Sequence, residues 1–296
     1  MKFKTIIYLI FTTLIFASCE DIIDVKLSDE DLDLYAIEAL ITTQENPYVF
    51  LYKSSKVNSG TPYNAVSGAI VSISDNSEPP KSIILQESNS YPGLYFPGQG
   101  SSFLGETGKV YTVQINVNNV TITASDTLAR VEPIDSIQVR PSLRGDKRFL
   151  GIFTYGNEPE ELGNYYKWDI YINNKPLKET AYMVIASDEL VNGNYISGYE
   201  ILTDFHDPDT PEDRLIQLGD TIQVKQNSIS RFNYNFFSQM FNQAQTGGFF
   251  SVPPANVVSN FTSSDNKNVL GLFTACDVSI SNMVIIDQAL EDQLKK

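Results

Sequence analysis

Histidine and tryptophan each occur once in the 296 residues, and cysteine only twice. A lone histidine, His206, leaves no room for a His-rich zinc site, and any Ser-His-Asp relay would have to run through it. Two cysteines build no disulfide framework, so packing must hold the fold. One of them, Cys276, stands in the apolar run Leu270-Gly271-Leu272-Phe273-Thr274-Ala275-Cys276, where a small buried thiol is expected rather than a nucleophile. The chain has no His-Glu-x-x-His helix, no Gly-x-Ser-x-Gly elbow and no P-loop, and no cofactor is expected. Positive charge is scarce. Lys and Arg total 21 against 36 Asp and Glu, a net −15, which repels nucleic acid and anionic headgroups. With so many acids some carboxylate pair is certain by chance, so abundance alone does not point to glycoside cleavage. Long apolar runs are missing too: Ile6 to Ala17 is too short to span a bilayer.

That short run is nevertheless informative. Lys2 and Lys4 precede it, Ala17 and Ser18 close it, and Cys19 follows, with Phe16 where a leucine is usual. The segment resembles a bacterial lipoprotein signal. The resemblance implies cleavage of residues 1–18, a diacylglycerol on the Cys19 thiol and an acyl chain such as palmitate on its new amino group. The alternative is an ordinary secretory signal with a chance cysteine at the cut. The removed piece carries two lysines and no acid, so the mature chain is more acidic still. Glu20-Asp21-Ile22-Ile23-Asp24 and Ser28-Asp29-Glu30-Asp31 then form an acidic tether over 19–34. Such a tract resembles the signal that sends Bacteroidota lipoproteins to the outer face of the outer membrane; a solvated linker on a protein facing the periplasm is the other reading.

The body is expected to be mainly β. Residues 35–129 read as a β-sandwich domain, with segments at Ala36 to Ile41, Val49 to Lys53, Ala69 to Ser74, Ser82 to Leu85, Gly93 to Phe96, Val110 to Val117 and Val120 to Ala124. Tyr111, Val113, Ile115 and Val117 share one face of a strand, and Asn118-Asn119 supplies a two-residue hairpin turn. The extended connector Arg130 to Pro133 opens a second β-rich domain, 130–282, followed by a C-terminal tail, 283–296. In that domain Tyr166, Trp168, Ile170 and Ile172 alternate before Asn173-Asn174, and Ala181 to Ala186 and Thr221 to Lys225 are further strands. One amphipathic helix, about 228–246, is expected with Ser230 as N-cap and Gly247-Gly248 as stop; its Phe232, Phe236, Phe237, Met240, Phe241 and Ala244 read as core.

Two resemblances follow from motif order. Val66 to Asp75, Gly93-Leu94-Tyr95, and Gly105 and Gly108 before Tyr111-Thr112-Val113 resemble an Ig-like sandwich of the transthyretin or carboxypeptidase-regulatory type. Taken with Ile23-Asp24-Val25, Ile134-Asp135-Ser136-Ile137, the Phe-rich helix, Gly247-Gly248-Phe249-Phe250, Val252 to Val257 with Asn260, and Leu270 to Phe273, the whole chain is similar to domain-of-unknown-function family 4249, outer-membrane lipoproteins of the Bacteroidota. That likeness implies genomic company with TonB-dependent receptors, and hence a non-catalytic accessory or ligand-binding partner of a nutrient transporter, anchored in the bilayer through Cys19. The alternatives are a structural or adhesive surface module without a transporter partner, and a hydrolase converging on His206 or a carboxylate pair.

Several residues are candidates for smaller roles. Asp204, Asp207, Asp209 and Asp213 surround His206 in a proline-bounded loop whose oxygens could hold Ca²⁺, although the spacing is not that of an EF-hand and a solvated loop explains it equally. Asp126-Thr127-Leu128, Asp135-Ser136-Ile137 and Asp220-Thr221-Ile222 resemble the Bacteroidota O-glycosylation acceptor, with sugar on Thr127, Ser136 or Thr221; strands also leave turns this way. Of the 17 Phe and 16 Tyr, Tyr165, Tyr195 and Tyr199 could stack on sugar or dock a partner if exposed, or pack in a core if not.

Overall fold

The computed structural model describes residues 33–54, 64–207, 209–244 and 257–295; Cys19, the acidic tether as far as residue 32 and Gly247-Gly248 lie outside them. Asp33–Lys296 form one compact unit with two hydrophobic cores. Alternation builds both. Tyr111, Val113, Ile115 and Val117 all point inward, and Asn118 and Asn119 take φ of 48° and 63°, the left-handed pair that matches the twist of a two-residue hairpin. Asn173 and Asn174 repeat the device at 52° and 60°.

The first core lies inside a single ten-stranded sheet. Its order runs Thr262–Ser263, Val120–Thr127, Val110–Val117, Ile70–Asp75, Ser82–Glu87, Leu94–Pro97, Tyr48–Lys53, Tyr35–Thr42 and Leu270–Cys276, with Asn64–Ala65 beside Tyr48–Lys53. The strand Leu270–Cys276, which the sequence places within 130–282, joins this sheet by pairing in parallel with Tyr35–Thr42, from Ala36 opposite Leu270 to Thr42 opposite Cys276. Just past Val120–Thr127, near the far end of the sheet, Ala129 bridges Cys276. Cys276 itself is buried and free, and burial raises its thiol far out of the reactive range.

The second core fills the space between two sheets. One has three strands, Tyr195–Thr203, Lys147–Asn157 and Ile134–Arg144. The other centres on Tyr165–Ile172 and Thr221–Ser228, flanked by Lys175–Pro176 and Val184–Ser187 on one side and by Val278–Ile280 and Val284–Ile285 on the other. The strand expected over Ala181 to Ala186 starts later, because Tyr182 and Met183 donate to Glu179 and Thr180 and close a 3₁₀ turn, Thr180–Tyr182. Residues 283–295 are folded: after Val284–Ile285 a helix, Gln288–Leu294, starts at an Asp287 cap that accepts the Leu290 N–H at 2.9 Å.

The expected helix spans Arg231–Ala244, and Ser230 Oγ accepts the Asn233 N–H at 3.3 Å as its cap. Its aromatic stripe is not core. Phe236, Phe237 and Phe241 are half-buried, and Phe232 and Met240 are exposed. The fully buried member is Asn233, whose amide donates to Asp126 Oδ2 at 2.8 Å and ties the helix to the first sheet.

Side chains stand in for missing strands at two long edges. Along Leu270–Cys276, Asn260 accepts the Phe273 N–H at 2.9 Å and donates to its carbonyl at 2.8 Å, while Asp126 accepts the Ala275 N–H at 2.9 Å. Along Ile134–Arg144, Ser279 accepts the Ile134 N–H at 2.9 Å and Asn282 the Ile137 N–H at 2.8 Å; just before it, Asp277 accepts the Val131 N–H at 3.0 Å. Each bond occupies a backbone group that another chain could otherwise pair with.

Candidate functional site

Tyr195–Thr203 is also an edge strand, hydrogen-bonded to Lys147–Asn157 alone, and no such stitching is present along its first half among the described residues. That half, Tyr195 to Tyr199, faces solvent, whereas Ile201, Leu202 and Thr203 are buried. Its register to Lys147–Asn157 skips Gly198 and Ile201, two bulges that twist the edge. Gly198 is required there: φ is +87°, and a Cβ would stand 2.9 Å from the Tyr155 hydroxyl. A doubly bulged edge is a poor template for adding a strand, so its side chains are what it offers a partner.

Those side chains form a patch. Tyr195 is 53% and Tyr199 45% exposed, and the turn before the strand adds Leu190 at 95% and the neighbouring loop Leu162 at 75%. Tyr199 rests on Trp168 with ring centroids 5.8 Å apart, and Trp168 in turn donates to Gln226 Oε1 at 2.9 Å, so one face of the patch is braced from the core. The two loops are held together by Asp188. Buried beneath them, it accepts the Gly163 N–H at 2.8 Å and the Asn164 N–H at 3.0 Å, while its own carbonyl accepts from Val191 and Asn192. Exposed Glu160, Glu161 and Glu189 lie in these loops beside the leucines. Burial raises the Glu158 carboxyl against the pull of the Tyr166 hydroxyl, which donates to it at 2.8 Å; desolvation and the Asp135 carboxylate raise the Tyr195 phenol. The patch is apolar and aromatic with an acidic rim, suited to contact.

The loop around His206 has a structural job. Asp204 is buried and accepts the backbone N–H groups of His206 at 3.1 Å and Ile216 at 2.9 Å, and His206 Nδ1 lies 2.9 Å from the same carboxylate. Asp207 pairs with Lys147 at 2.6 Å, Asp209 lies 3.8 Å from that same lysine, and Asp213 is exposed. Among the described residues no three of His, Cys, Asp or Glu are gathered as metal ligands. Lys147 and backbone N–H groups thus engage the carboxylates of Asp204, Asp207 and Asp209. Thr127 is exposed on its strand, Ser136 half-buried, and the half-buried Thr221 hydroxyl donates to Asn173 Oδ1 at 3.3 Å. Of the three tyrosines singled out by sequence, Tyr195 and Tyr199 are both exposed on this edge, Tyr195 beside Asp135 and Tyr199 against Trp168, and Tyr165 is half-buried against Tyr234. Leu162, Leu190 and Asp188 were missed; the Asn192-Gly193 turn signal between Leu190 and Tyr195 was the available clue.

No curated protein matches the chain. A family profile described as "Domain of unknown function (DUF4249)" matches residues 20–281, and the chain belongs to that family.

Proposed function

We propose that this protein is a non-catalytic lipoprotein, anchored through acylated Cys19 in the outer membrane and facing the exterior, that serves a TonB-dependent nutrient transporter as accessory or ligand-binding partner. The observation that supports it best is the open, bulged edge with Leu162, Leu190, Tyr195 and Tyr199 exposed, in a molecule whose other long edges are stitched by side chains. Large rings and a leucine surrounded by a polar rim are the usual anatomy of a protein contact. The acidic rim selects a partner with basic loops. The resemblance of the N-terminal segment to a lipoprotein signal supports the anchor, the family resemblance read from the sequence supports the transporter, and the patch is the contact surface this reading assigns.

The test is affinity capture from gently solubilised native outer membranes through a tag after Lys296, with Cys19→Ala and Leu190→Asp as comparisons. Leu190 is almost wholly exposed, so its replacement leaves the fold intact. The proposal expects one barrel at near-stoichiometric yield, lost with the anchor and reduced roughly tenfold or more by the new charge. Capture of no barrel would leave the adhesive or spacer module as the reading; capture unaffected by Leu190→Asp would move the contact elsewhere.

A further inference from the structure

A second cleft, about 320 Å³, opens between the 209–218 loop and the C-terminal helix and shares no lining residue with the Tyr195 patch. Arg214 forms part of its wall. The Arg214 side chain is only 6% exposed, and its Nη2 donates to Glu291 Oε1 at 2.9 Å, yet its Nε–H is buried with no acceptor. A buried guanidinium N–H left unpaired is costly and rare, and guanidinium geometry readily serves two carboxylates at once. One edge of the Arg214 group serves Glu291, and the Nε–H serves no protein acceptor among the described residues.

The rest of the wall states which molecule would use it. Lys295 adds a second cation and Asp209 a second anion, so the lining charges balance in a chain that is strongly acidic overall. Leu218 and Leu294 supply an apolar lip. A simple anion would be opposed by the protein's own field, and a simple cation would find carboxylates over the whole surface and gain little here. A molecule carrying both charges close together, with an apolar tail, meets each wall in turn.

We propose that this cleft binds a small zwitterion with an apolar side chain, of the free α-amino acid or short-peptide class. Arg214 and Lys295 take its carboxylate, Glu291 and Asp209 its ammonium group, and Leu218 and Leu294 its side chain. The two halves of the cleft are fixed independently of any ligand. The Ile216 N–H bound to Asp204 at 2.9 Å sets the loop, and Asp287 and the Arg148 contact to the Gln293 carbonyl at 3.2 Å set the helix.

The Arg214 Nε–H proton is its own reporter. In nitrogen-resolved proton NMR of the full chain, L-leucine is titrated against N-acetyl-leucine, which lacks the ammonium charge, and leucinamide, which lacks the carboxylate. The proposal expects a saturable shift of the Arg214 Nε–H with leucine and binding roughly tenfold weaker or more for each blocked analogue. Asp209→Asn, at a highly exposed position where folding is not at stake, should weaken leucine and leave N-acetyl-leucine unchanged. Arg214→Lys, which keeps the charge but loses the planar fork and with it the reporter proton, is read by calorimetry and should weaken leucine and N-acetyl-leucine together. No saturable shift with leucine, or equal binding of all three compounds, overturns the proposal.

Discussion

Gly271 sits at φ +105° in the parallel strand, and a Cβ there would lie 1.8 Å from the Ile37 carbonyl oxygen. Both the backbone angle and the close approach of two main chains demand glycine. Gly271→Ala is therefore expected to pry Leu270–Cys276 from Tyr35–Thr42 and to cost at least about 3 kcal/mol, read from urea unfolding. Asp126 makes a different demand. Burial raises its carboxyl above the ordinary 3.8, even though Ala275, Ser230, Thr127 and Asn233 all hydrogen-bond to it. A carboxyl with a raised folded pKa contributes stability that is full in acid, below the unfolded value, and is lost as pH rises through the folded value. Asp126→Asn keeps the shape and removes the titration. The advantage of the native protein over this variant should shrink as pH rises from below 4; an advantage constant with pH would show that Asp126 does not titrate on unfolding. Gly271 and Asp126 both stand in motifs visible in the sequence, but the atoms that explain them, on Ile37 and Ala275, are far away along the chain.

At the scale of elements, local signals were legible and environments were not. Period two located the strands, Asn-Asn pairs their hairpins, and Ser230 the helix start, because each depends on residues a few positions apart. The helix's aromatic period is just as clear, yet its rings are half-buried, since periodicity reports a face and says nothing of what covers it. Edge protection was equally hidden. Nothing local to Asn260, Ser279 and Asn282 marks their work, which is done across space on Phe273, Ile134 and Ile137. Asn282→Ala leaves the Ile137 N–H without its acceptor, so a loss of about 1–2 kcal/mol is expected, with faster hydrogen exchange at the Ile137 amide than at its neighbours. Uniform acceleration across the strand would mean that Asn282 supports the sheet globally rather than sealing one position. The exposed edge follows the same division: the tyrosines of Tyr195–Thr203 are visible as aromatics, but their exposure and the Asp188 brace come only with the fold.

For the whole molecule, the path of the chain ties the two cores together. After building the first sheet as far as Thr127 the chain makes the second core, then returns through Thr262–Ser263 and Leu270–Cys276 to finish the first, and leaves again to finish the second. Parallel pairing between segments so distant leaves no local mark, which is why the returning strand's destination is not legible in the sequence. The return is not ornamental: Phe273 and Ala275 are completely buried in the first core, and Phe261 and Val269 pack there too. A fragment cut at the connector, residues 33–129, would expose that face of Ile37, Ala39 and Ile41 and leave the Tyr35–Thr42 strand unpaired on one side. It is expected to lack dispersed amide resonances and a cooperative melt, whereas the intact chain is expected to unfold in one calorimetric transition, its two parts coupled through Lys225 on Glu45 and through Ser228 on Ala129 and Asp277. A fragment that folds alone, or two separate transitions in the intact protein, would mean that the returning strand decorates the first core instead of completing it.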